Sequence, residues 1–307
     1  MMNSFKKVIY VLLPIMAYYV VHDLTRLLMM FLLQFASTGS TAVYDFVRGN
    51  DAFLSGIISV IDILVGVAVL LFIMRTDKEE LSIWDYLNVN GLSFYRTDRI
   101  HAPAFSWILL SLQAVSMALG INILIRLSGI VEHSAYGETT YTQYMIPMWL
   151  GLLLYGVISP VAEELLFRLI VFGRLKRRFN IYIAILMTSL FFGLYHGNIV
   201  QGIYGFIMGA LMCIAVEYVH SVYGSLLIHS LANITIYILG LKGVLGEVGG
   251  IGTGLALVSF GLVTLFFELY YSHRTVAEYG DIYGVTYVGG FFTDDYESDD
   301  DDAQENM

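Results

Sequence analysis

Stretches near residues 8–35, 52–74, 102–126, 143–173, 181–197, 199–219, 223–240 and 251–271 are apolar on every side. A helix that buries one face against a soluble core keeps polar residues on the other, and these segments have no such face to turn towards water. About 20 residues at 1.5 Å each cross the ~30 Å hydrocarbon layer of a bilayer. Most of the eight reach that length, and the fifth and seventh are the short ones. The expectation is an all-α fold, a polytopic transmembrane helix bundle of about eight spans. Composition agrees: 57% of the residues are hydrophobic and 14% charged, against about a quarter charged in soluble domains.

The charges that remain are unevenly placed. With the N-terminus in the cytoplasm, eleven Lys and Arg fall on inner segments and three (Arg48, Arg126, Lys242) on outer ones, while Arg26 and Arg168 lie within spans. This positive-inside bias predicts cytoplasmic termini, and the long apolar run after Lys6 and Lys7 reads as a retained first span rather than a signal peptide. The net charge of −10 belongs to the end of the chain, where ten acids follow from Glu278 with no Lys or Arg. Such a run is expected to be a solvated, disordered tail whose partner is unknown. The single cysteine, Cys213, permits no disulfide within the chain and no cysteine-based metal site. The layout read from these features has N-terminal membrane helices and a cytoplasmic loop over 1–142. A helix core over 143–240, a last span over 241–272 and the acidic tail over 273–307 follow. Thr76 to His101 reads as an ordinary cytoplasmic connection. No nucleic-acid partner is expected.

Against this apolar background a few ionisable residues stand out. Span four reads Ser-Pro-Val-Ala-Glu-Glu-Leu-Leu-Phe-Arg, with Glu163, Glu164 and Arg168 inside six residues. Each costs at least ~2.5 kcal/mol at the centre of a bilayer helix, so they need partners or a function. Glu164 and Arg168 are one helical turn apart and can form an ion pair. Glu163 is rotated about 100° from Glu164 and is free to face a cavity. Span five ends in Phe192-x-x-x-His196, and span seven carries His229-x-x-x-Asn233. Each motif alone is open to a purely structural reading, as a packing network or as interhelical glue. Counted from the cytoplasmic ends, however, Glu163, His196, His229 and Asn233 fall at overlapping depths of roughly 9–22 Å at 1.5 Å per residue. They can therefore converge on one site. Gly202, Gly205 and Gly209 in span six offer the small surface that lets helices approach closely.

In this order and on successive spans, Glu163-Glu164-x-x-x-Arg168, Phe192-x-x-x-His196 and His229-x-x-x-Asn233 resemble the CAAX protease and bacteriocin-processing (CPBP) family, also called Abi proteins. The resemblance covers about residues 145–240, and no motif position departs from the pattern. It implies an intramembrane endopeptidase acting on a peptide or membrane-associated protein. Glu163 and His196 would activate water, His229 and Asn233 would stabilise the oxyanion, and Glu164 with Arg168 would brace the first carboxylate. Amide hydrolysis needs those parts: an activated water, a donor to the oxyanion and an acid for the leaving amine. Two versions stay open. Glutamate acts without a metal, or Glu163, His196 and His229 hold Zn²⁺ with water in the fourth position. Substrate entry is expected from the cytoplasmic half of a bacterial plasma membrane. The competing classes are a non-proteolytic regulator or scaffold, such as a bacteriocin-immunity protein or sensor-kinase partner, and a transporter.

Overall fold

The structure, a computed structural model, describes residues 4–76, 104–176, 179–219, 221–244 and 249–283. These form a bundle of ten helices with no strand among them. They are α1 (Ser4–Gly39), α2 (Thr41–Gly49), α3 (Asp51–Thr76), α4 (Ala104–Leu127), α5 (Tyr136–Met145), α6 (Met148–Lys176), α7 (Ile181–Tyr195), α8 (Ile199–Val219), α9 (Val222–Leu241) and α10 (Ile251–Tyr283). Seven of them are long and apolar enough to cross a membrane. The expected fifth span is α7, with 15 residues, which reaches only ~22 Å at 1.5 Å per residue. Leu27, Phe31, Phe72 and Phe266 are each more than 60% exposed. Water would penalise a belt of that size, and lipid does not. The molecule is an integral membrane protein.

Two short helices have no counterpart in the spans read from the sequence. α2 sits between α1 and α3 with none of its residues buried, and α5 lies between α4 and α6. Neither is long or apolar enough to register as a membrane segment. The Thr76–His101 connection beyond Thr76, and the tail beyond Tyr283, lie outside the described residues.

α6 is the hub. It packs against α1, α3, α7, α8 and α9, and Leu166, Phe167, Ile170 and Val171 on it are wholly buried. Around it α1 pairs with α3, α7 with α8, and α4 with both α9 and α10. The glycine stripe of α8 explains the α7–α8 pair. A methyl group on Gly209 would press on the Phe192 ring at 3.2 Å, and one on Gly205 on the His196 ring at 3.3 Å. Larger residues would push α7 away, and its two motif side chains with it.

α6 is not a regular helix. Leu154–Ile158 and Leu165–Phe172 are π-helical, bonding five residues back instead of four, with an α-helical Ser159–Glu164 between them. Such turns are frequent at functional sites. The first has a local cause in Pro160, which has no N–H to donate. Ser159 N–H already bonds five residues back, to Leu154 O. In that register the next acceptor, Tyr155 O, would wait on the N–H that Pro160 lacks. Asn233 Nδ2 on α9 donates to it instead, at 3.0 Å. A backbone carbonyl freed inside a membrane is thus satisfied by a neighbouring helix.

Candidate active site

Glu163 lies on the α-helical stretch of α6 between the two π-helical turns and is 7% exposed. Ser159, one turn earlier, donates its hydroxyl to Glu163 Oε1 at 2.6 Å. The other oxygen, Oε2, faces His229 Nε2 at 3.6 Å, beyond a direct hydrogen bond. Glu163, His196, His229 and Asn233 all line one cavity of about 200 Å³. The four residues read from three separate motifs are therefore brought together.

The neighbours fix the rings. His196 closes α7, and its Nδ1 bonds the Phe192 carbonyl at 2.8 Å. A carbonyl only accepts, so Nδ1 carries a proton and Nε2 is the ring nitrogen left for the cavity. Gly197, at φ +71°, then turns the chain into α8 in the left-handed region that favours glycine. His229 Nδ1 contacts Glu164 Oε1 at 2.7 Å, and Glu164 pairs with Arg168 Nη1 at 3.1 Å. The expected Glu164–Arg168 ion pair is present. Its partner differs from expectation, since the pair braces His229 rather than Glu163. The reason is rotational: Glu164 points from α6 towards α9, while Glu163 is turned to the cavity.

Phe192 is the side chain the sequence reading undervalued. Arg168 lies over its ring at 4.4 Å, a cation–π contact. The same ring meets His196 edge-on at 4.9 Å and His229 at 5.6 Å. One phenyl group thereby separates and orients both imidazoles and covers the guanidinium. Its place in Phe-x-x-x-His was visible, but its role depends on three helices meeting. Ser159 was likewise legible as the residue one turn before Glu163. Tyr136, Tyr144, Tyr155, Tyr204 and Tyr237 complete much of the wall, and no motif marked them. Burial pushes the Tyr144 hydroxyl up to about 12 and raises Tyr136 as well, so both stay neutral hydrogen-bonding groups on α5.

Among the described residues no three His, Cys, Asp or Glu side chains are gathered as a metal-ion site. Glu163, His196 and His229 line the same cavity, with Glu163 Oε2 and His229 Nε2 3.6 Å apart.

The cavity also has a direction. Its lining runs from Glu163 and His229 to Tyr136, Gln143 and Tyr144 of α5. α5 precedes the start of α6 and so lies at the opposite end from Arg174 and Lys176, which close that helix. Those two residues belong to the charge-rich, inner side of the sequence reading.

The site is thus a cavity inside a polytopic helix bundle, lined by carboxylate, imidazole and amide groups. Residues 145–235 match the family described as Type II CAAX prenyl endopeptidase Rce1-like. The chain is also 24% identical over 220 residues to the Bacillus subtilis (strain 168) protein named "Putative membrane peptidase YdiL", covering 69% of this chain and 83% of that one. No solved structure matches. Both matches support the resemblance to the CPBP family that the three motifs carry, and all three motifs fall inside the matched residues.

Proposed function

We propose that the chain is an intramembrane endopeptidase that hydrolyses a peptide bond of a membrane-associated substrate in the Glu163 cavity. The observation that carries this reading is the meeting of Glu163, His196, His229 and Asn233, from three helices, on that one cavity. Glu163 takes a proton from a water that attacks the carbonyl carbon, with the lone pair of His196 Nε2 orienting the water. The carbonyl oxygen becomes an oxyanion. Asn233 gives one N–H to Tyr155 O and keeps a second for that oxyanion. His229 Nε2 borders the same cavity as the second group at that oxyanion, its ring held through Nδ1 by the Glu164 carboxylate at 2.7 Å. Glu163 then returns its proton to the amine nitrogen as the C–N bond breaks.

The test is cleavage of a quenched peptide library by the purified protein in detergent, wild type beside Glu163→Gln. Turnover lost in the variant supports the reading, and equal turnover in both sinks it. Chelator is the companion arm. Undiminished activity is expected, and a loss that Zn²⁺ restores would replace this mechanism with a metal-dependent one.

The proposal extends to the side of entry, which charge and geometry together support. If the Lys- and Arg-rich end is cytoplasmic, the α5 mouth faces away from the cytoplasm, and the substrate approaches from there. Gln143→Cys treated with a membrane-impermeant maleimide on intact cells checks this, because the single native cysteine, Cys213, is buried. Labelling without permeabilisation is expected, whereas labelling only after it would return the mouth to the cytoplasmic side.

A further inference from the structure

A second cavity, of about 570 Å³, lies between α1, α2 and α3, with no residue in common with the first. Its lining divides by chemistry. Met30, Leu33, Leu54 and Ile58 supply apolar wall, and Arg26 and Arg48 supply two guanidinium groups. Asp51 is the one carboxylate that lines it. Neither arginine forms an ion pair with a described carboxylate; Arg48 reaches only the Tyr44 hydroxyl, at 3.4 Å. Arg26 is unusual for its place, in the middle of a helix of membrane-spanning length. A guanidinium there normally finds a carboxylate or snorkels to water. This one borders a cavity instead.

α2 gives the cavity its setting. The chain leaves α1 through extended Ser40, runs nine residues of helix and turns again at Asn50 into α3. Val43, Phe46 and Val47 alternate with Asp45 and Arg48 along that helix, which suits it to the boundary between hydrocarbon and headgroups. The cavity beside it therefore offers cationic, bidentate donors along an apolar wall, from Arg48 on α2 inward to Arg26 on α1.

We propose that this cavity binds an anionic phospholipid, its phosphate held by Arg26 and Arg48 and its first acyl methylenes lying along Leu33, Leu54 and Ile58. Arginine matches phosphate because its planar fork donates two parallel N–H bonds. A free phosphate shares the headgroup chemistry but makes no use of the apolar wall. The proposal does not rest on the hydrolytic reading, since no residue lines both cavities, although Arg26 is near enough to act electrostatically on Tyr155 of the first.

Thermal unfolding of the full-length protein in neutral detergent tests it, with phosphatidylglycerol, phosphatidylcholine or inorganic phosphate added in turn. Phosphatidylglycerol is expected to raise the midpoint by at least ~2 °C over phosphatidylcholine in the wild type. The shift should vanish in R26Q/R48Q. It should vanish as well in Ser55→Trp, which fills the cavity and keeps both arginines, so the test does not hang on one variant folding. An equal rise with phosphatidylcholine, or a shift that survives in either folded variant, would overturn the site. An equal rise with inorganic phosphate would overturn the lipid as its occupant.

Discussion

The helices that carry the motifs and the α1–α3 pair both bury charge in a membrane, and they treat it differently. On α6, Glu164 is held by Arg168 from its own helix and by His229 from 65 residues further along the chain. Glu163 beside it contacts only Ser159 closely and faces the cavity. On α1 and α3 the buried groups close on each other. Asp62 is wholly buried with His22 Nε2 at 3.3 Å, and the other ring nitrogen of His22 contacts neighbouring Asp23 at 2.9 Å. The two regions touch, since Tyr18 stacks on His22 and its ring lies 6.3 Å from that of Tyr195, the residue before His196. α4 and α10 repeat the closed pattern, with Gln113 Nε2 donating to buried Glu268 at 3.3 Å. A buried charge in this protein is therefore not in itself the sign of a site. The sign is a carboxylate left facing a cavity while its neighbours are locked in place.

The largest test of that distinction is Glu163→Gln. It keeps the shape and the hydrogen bond to Ser159, and turnover of the peptide library should fall by roughly 10²–10⁴-fold, the usual worth of a general base. The unfolding midpoint should stay near that of the wild type. Arg168→Leu should do the reverse in kind. It strands the Glu164 carboxylate in a buried position, at a cost of ~3–5 kcal/mol in denaturant or thermal unfolding. Adding Glu164→Gln should recover much of that loss, because the uncompensated charge is then gone, and a double variant no more stable than the single would show that the ion pair is not what holds α6. The smallest effect is expected from Asp62→Asn. Asparagine keeps an oxygen facing His22 Nε2, which lies 3.3 Å from Asp62 Oδ1, so stability should change by only ~1 kcal/mol and turnover by less than about twofold. A drop in turnover like that of Glu163→Gln would erase the contrast between the two regions and make the His22–Asp62 pair part of the reaction.

The motif residues were legible in the sequence because lipid makes ionisable groups costly. A Glu-Glu-x-x-x-Arg run inside an apolar span announces itself, as does a His in a segment with little else polar. Membrane crossing was legible for the same reason, since it depends on local composition and length. The glycines at 205 and 209 were readable as a packing surface, but not as the space for Phe192 and His196 that the fold makes of them. Helices α2 and α5 escaped notice because their role lies in where they sit and their composition is unremarkable. Asp62 was overlooked because a single acid in an apolar run carries no spacing signal until His22 is brought against it.

Sequence alone thus determined the all-helical membrane architecture and the ionisable motif residues of the cavity, because each is a property of a residue against its immediate neighbours. Tertiary structure decided how those side chains are partnered. It gave Glu164 to His229 instead of Glu163, made the Phe192 ring the spacer between two imidazoles, and set Asn233 against the carbonyl that Pro160 leaves open. It also decided which end of the bundle the cavity meets. All of these depend on the rotation and packing of helices distant in the chain, and above all on the π-helical turns of α6, which reset the direction of every side chain beyond them.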